Sequence, residues 1–212
     1  MNHDIISKQI SKKLNNISDN ILKPSLNFGE YNKNEDLKNS VAALILKKIN
    51  SLIISINNSL QLKDHFLSTY LYRYIYELHL KIAFIYIDKK KINNRLNLFL
   101  YKDRLSIRNC YDQLRYNYKY NFLILDHNAH YEKLSHMIHP NIESINMHRW
   151  TEEEGFEFIF TNTLLSIILI RQLLFILHNN DLWKLKENLN FKELDLIINQ
   201  INVLSQNIEI KN

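Results

Sequence analysis

The feature that most constrains this chain is a scarcity: 212 residues contain only 2 glycines and 2 prolines. Tight turns draw on glycine for positive φ and on proline to preset φ, so a turn-rich β protein needs many of both. A chain this poor in them has few places to reverse direction sharply. The expectation is an all-α fold of long helices with few connections. At this length one core can be buried without covalent staples. The lone Cys110 has no partner for an internal disulfide, which fits a reducing, cytoplasmic compartment.

Hydrophobic periodicity places the helices. Ile6, Ile10, Leu14, Ile17 and Ile21 predict a first helix over 4–22. The segment "KPSLNFGEYNKN", 23–34, holds a Pro and a Gly and reads as a linker. The chain is thus expected to divide into an N-terminal helix with its linker (1–34) and a helical bundle domain (35–212). Val41, Ile45, Ile49, Leu52 and Ile56 predict a second helix over 35–60. The third, over 62–90, is so apolar and aromatic that it must be central. A basic helical region covers 91–120, with a break near Lys102, and a short helix over 127–139 stops at Pro140. Thr151 and Glu154 form a capping-box pattern that opens a helix to about His178. A last amphipathic helix spans 191–209. About six or seven helices of this kind pack as an antiparallel bundle. The apolar run 163–177 is interrupted by Arg171 and too short to span a bilayer, so it reads as buried, with no membrane partner. The stretch "MNHDIISKQISKKLNN" lacks the apolar core and cleavage pattern of an export signal.

Three constellations are candidates for function. Arg73 and Glu77, four residues apart on the third helix, lie about 40° from each other around its axis. Phe66, Tyr70, Leu80 and Phe84 fall on the same arc, so the pair is set within an apolar face. It is either a structural ion pair that locks helix register, or an arginine held by a glutamate to grip a phosphate. In "YEKLSHMIHPN", 131–141, a helix would place Tyr131, Ser135 and His139 on one face and point His136 elsewhere. His139 would sit in the last turn, where the helix dipole favours the imidazolium, suited to acid–base work or simply to capping carbonyls. Finally, Arg104, Arg108, Arg115 and Lys119 fall within about 60° of arc, with Tyr111 beside them. That strip suits single-stranded RNA, or is a solvated helix face. The net charge of +5 is compatible with a nucleic-acid partner.

Other chemistry is poorly represented. The pairs His127/His130 and His136/His139 have i, i+3 spacing but lack a Glu-x-x-His motif or cysteine pair, so no metal is expected. There is no glycine-rich phosphate loop and no G-x-S-x-G element, and no cofactor is expected.

The order of these elements carries a resemblance over about 40–180. An Arg73/Glu77 helix, the basic helix "NNRLNLFLYKDRLSIRN" and the Tyr131, Ser135, His139-Pro140 element resemble a bacterial family of unknown function. That family in turn looks like a branch of the HEPN superfamily of helical bundles. The resemblance implies a homodimeric, metal-independent endoribonuclease of antiphage defence or toxin–antitoxin growth control. Its partners would be RNA and an antitoxin or other defence-system protein. It further implies that Arg73 binds the scissile phosphate, Glu77 orients Arg73, His139 transfers the proton, and Tyr131 and Ser135 position His139 or substrate. The chain departs from the superfamily's usual Arg-x(4–6)-His motif. Its literal match, Arg73 to His79, has Tyr74 where a polar residue is usual, and about 120° separates the two side chains. A working site would need Arg73 and His139 from different helices. The alternative is a non-catalytic binding or sensor module of a defence or toxin–antitoxin system.

Overall fold

The computed structural model describes residues 3–23, 37–101, 105–115, 131, 150–179 and 190–209. Seven helices, and no strand, are found among the described residues. They are α1 (His3–Asn16), α2 (Leu37–Leu62), α3 (His65–Tyr86), α4 (Ile92–Tyr101), α5 (Ile107–Arg115), α6 (Glu152–Asn179) and α7 (Phe191–Glu209). The fold is an all-α helical bundle, as the scarcity of Gly and Pro predicts.

α1 continues without a break into six residues of wider π-helix, Ile17–Leu22, which end with the Lys23 N–H on the Ser18 carbonyl. Ile6, Ile10, Leu14, Ile17 and Ile21 are all buried, and they join the core that α2, α3, α6 and α7 share. α1 packs antiparallel on α2 through a ladder of side-chain hydrogen bonds. Gln61 Nε2 donates to Ser11 Oγ at 2.9 Å, Asn57 Nδ2 to Asn15 Oδ1 at 3.0 Å, and Ser18 Oγ to Asn50 Oδ1 at 2.8 Å.

The α2–α3 reversal shows how a glycine-poor chain turns. Lys63 takes the left-handed conformation at φ 55°, the place where glycine usually ends a helix. The Asp64 N–H reaches the Ser59 carbonyl at 3.0 Å and the Lys63 N–H the Leu60 carbonyl at 3.4 Å, closing a Schellman-type turn. Asp64 then caps α3, its carboxylate accepting from the Leu67 N–H at 2.9 Å. The Lys63 ammonium lies 2.8 Å from Glu152 and 3.3 Å from Asp4, so the turn is tied to the starts of α6 and α1.

α3 is central: it packs on α2, α4, α5 and, most extensively, α6. Ile75, Tyr76, Leu80, Ile82, Ala83 and Ile85 are sealed from water. The helix ends at Tyr86, short of the expected position 90. Asp88 makes a turn there, accepting from the Lys90 N–H at 3.1 Å, and lysines 89–91 form the connection to α4. The basic region breaks as expected after Tyr101, with Leu105 and Ser106 outside any helix.

α6 opens on the anticipated capping box. The Thr151 N–H donates to Glu154 Oε2 at 2.8 Å and the Glu154 N–H to Thr151 Oγ1 at 3.2 Å. The apolar run 163–177 lies inside a helix of 28 residues, so the run understates the helix. By length and composition Val41–Leu62 and Glu152–His178 each suffice to cross a membrane, and half or more of each is buried inside the bundle. Arg171 forms a two-pronged pair with Asp195, at 2.8 and 3.0 Å, fastening α6 to α7.

Candidate functional site

The partly exposed face of α3 carries the first candidate. It reads Tyr70, Arg73, Tyr74, Glu77, Lys81 and Phe84, at the three- and four-residue steps that align side chains along a helix. Arg73 Nε donates to Glu77 Oε1 at 3.0 Å. Tyr131, 54 positions later than Glu77, closes the cluster. Its hydroxyl accepts from Arg73 Nη2 at 3.2 Å and donates to Glu77 Oε1 at 3.0 Å. The guanidinium also lies 5.1 Å from the centre of the Tyr131 ring, close enough for a cation–π contact. The Tyr131 ring packs in turn beside Tyr76, at 6.1 Å. Each group restrains the other two.

This arrangement corrects the expectation of a pair immersed in an apolar face. The Arg73 and Glu77 side chains keep 20% and 27% of their surface, and Tyr70, one turn earlier, is 55% exposed. Leu80 turns into the core instead, although it is nearly aligned with Arg73 around the helix, because neighbouring elements cover α3 at that level. The pair is neither sealed nor freely hydrated. Burial disfavours the Arg73 charge, but hydrogen bonds to Glu77 and Tyr131 outweigh it and hold the guanidinium above its ordinary value. Burial also raises the Tyr131 phenol, with Arg73 opposing, so the hydroxyl keeps its proton at neutral pH.

The expected site is therefore assembled in part. Arg73, Glu77 and Tyr131 meet, whereas Ser135, His136 and His139 lie outside the described residues. His79, the literal partner of Arg73 in the superfamily motif, is fully buried, and desolvation lowers its pKa to about 4. A neutral imidazole sealed in the core cannot share a wet cleft with Arg73.

The RNA-binding strip changes more. Its common arc requires an unbroken helix from 104 to 119, but Leu105 and Ser106 are not helical. Arg104 precedes the break, so the arc does not extend to it, and both Arg104 and Lys119 lie outside the described residues. Arg108 and Arg115, two turns apart on α5, are exposed on one side. Tyr111 packs half-buried against the core and so offers less of its ring for stacking than the strip requires. Cys110 is fully buried, and desolvation raises its thiol to about 11, which leaves it no nucleophilic character.

Sequence reasoning passed over a second basic feature. The turn between α3 and α4 and the start of α4 contribute Lys89, Lys90, Lys91 and Arg95 to one pocket, which Gln113 of α5 completes. Its signal was a run of three lysines with an arginine one turn further on. A larger groove of about 860 Å3 runs between α1 and α7, where Lys13 reaches Gln200, and none of the expected site residues lines it. No protein-family model, curated protein or solved structure matches this chain.

Proposed function

We propose that the cluster on α3 is a phosphodiester-binding site and that the chain is a metal-independent endoribonuclease acting in defence or growth control. The observation that supports this reading most is the posture of Arg73. A guanidinium has five N–H donors, and Arg73 commits one to Glu77 and one to Tyr131. The remaining donors sit on a planar, permanently charged group whose direction is fixed in advance, which is what two-pronged phosphate recognition needs. In this reading Glu77 and Tyr131 orient the guanidinium. The RNA's own 2′-oxygen attacks the adjacent phosphorus, the bond from phosphorus to the 5′-oxygen breaks, and His139 delivers the proton to that leaving oxygen. Ser135 positions His139 or the substrate, and a homodimer supplies two such sites along one cleft.

One observation favours a second reading. The hydrogen bonds of Arg73, Glu77 and Tyr131 close on themselves, as in a structural network that fastens the segment carrying Tyr131 to α3. On that reading the chain is a non-catalytic module that senses or neutralises a protein partner. The two readings separate on purified protein incubated with total cellular RNA in EDTA, alongside Arg73→Ala and His139→Ala. A ribonuclease cuts, and loss of the proton donor slows it by roughly 10²- to 10⁴-fold. Equal cutting by all three proteins removes this site, and cutting by none favours the module.

A further inference from the structure

The pocket at the α3–α4 turn touches none of the residues used above. Asp88, Lys89, Lys90, Lys91, Arg95 and Gln113 line a space of about 490 Å3. Four of these six are cationic and one is acidic. Asp88 is already committed to the turn: its carboxylate accepts from the Lys90 N–H and lies 3.6 Å from the Lys91 ammonium. Among the described residues no carboxylate pairs with Lys89 or Lys90. Arg95 is held in place by α3, donating to the Phe84 carbonyl and stacking 4.0 Å above the Phe84 ring. α4 begins at this pocket with no acidic residue in its first turn, so its unpaired N–H groups add to the positive field. Clustering like charges around a recess is unfavourable unless an anion occupies it.

We propose that this pocket holds a backbone phosphate of single-stranded RNA, a role that rests on the ribonucleolytic reading and adds a second anchor to it. The placement along α3 carries the argument. Phe84, which seats Arg95, lies about 20° around the helix from Arg73 and about 16 Å further along it. A strand laid on the exposed face of α3 from the Arg73 cluster therefore reaches the lysine pocket, passing Lys81 on the way. The recess is concave and polar, and Gln113 offers an amide suited to a ribose or base edge. A lipid surface would meet the lysines but not enter the recess. Arg108 and Arg115 lie more than about 120° around α5 from Gln113, so they belong to a different surface.

The test is fluorescence anisotropy with a labelled 20-nucleotide single-stranded RNA in EDTA, in the Arg73→Ala background so that the probe stays intact. Changing Lys89, Lys90 and Lys91 together to Gln is expected to weaken binding at least 10-fold. It should also flatten the dependence of log affinity on log salt by about 2, at about 0.7 per lost phosphate contact. Changing the same three to Arg is expected to retain binding. These exposed positions leave the helical circular dichroism unchanged, which separates lost binding from lost folding. Unchanged affinity and salt slope in the Gln variant overturns the proposal. So does loss confined to phosphatidylserine vesicles with RNA binding intact, which would mark a membrane contact. If the unmodified protein never cuts RNA yet the Gln variant loses binding, the pocket stands and the nuclease reading falls. If Arg73→Ala abolishes cutting while the Gln variant binds normally, the reverse holds.

Discussion

Replacing His79 with Leu should remove a specific part of the protein's acid sensitivity. The imidazole is fully buried on α3, and among the described residues no group bonds either ring nitrogen. Desolvation lowers its pKa from the ordinary 6.5 to about 4. Above pH 6.5 both folded and unfolded chains hold it neutral, and it contributes nothing to the pH dependence. Between pH 6.5 and 4 the unfolded chain takes up a proton that the folded chain refuses, so stability falls as pH falls. A gap of about 2.5 pH units at about 1.36 kcal/mol each is a loss of about 3 kcal/mol, complete below pH 4. The burial is total, so no discount for solvent screening applies. The assay is urea unfolding followed at 222 nm at pH 7.5, 5.5 and 4.0, for the unmodified protein and His79→Leu. Carboxylates elsewhere contribute equally to both, so the difference between the two pH profiles isolates the histidine. The variant should lose about 3 kcal/mol less than the parent over this range. Parallel profiles would refute the reasoning and mean that His79 is hydrated or hydrogen-bonded in solution.

Two further outcomes follow from local geometry. Thr151→Ala removes the hydroxyl that accepts the Glu154 N–H at the start of α6 and should lower stability by about 1 kcal/mol, measurable by the same urea assay. Cys110, sealed between α5 and the core with its thiol raised to about 11, should resist Ellman's reagent in the folded protein and react stoichiometrically in 6 M guanidinium. Rapid labelling under native conditions would contradict the packing of α5.

The helices were legible where periodicity and capping chemistry agreed. Thr151 with Glu154 marked the start of α6, and the step from Phe191 to Glu209 was read without error. Connections built on less usual chemistry were not. A lysine, not a glycine, takes the left-handed position at 63, so nothing in the residue type announced the end of α2. Lysines 89–91 resemble the basic last turn that helices favour, and only the turn made by Asp88 shows that α3 has already stopped. The π-helical widening at Ile17–Leu22 has no residue signature, since its apolar spacing also suits an α-helix. The strip from Arg104 to Lys119 failed for a related reason: angular arithmetic holds only within one unbroken helix, and this one is interrupted at Leu105. In the candidate site, the four-residue spacing announced the Arg73–Glu77 pair. The meeting of that pair with Tyr131 is a tertiary contact, which spacing alone cannot foretell.

The central claim is that Arg73, held by Glu77 and Tyr131, grips a phosphate while RNA attacks itself. The chemistry of the cut ends tests it most directly. Mass spectrometry of a defined RNA cut by the purified protein in EDTA should show a 2′,3′-cyclic phosphate on one fragment and a 5′-hydroxyl on the other. Both ends should be lost with Arg73→Ala. Fragments bearing a 5′-phosphate and a 3′-hydroxyl, or the same products at the same rate from Arg73→Ala, would contradict the account.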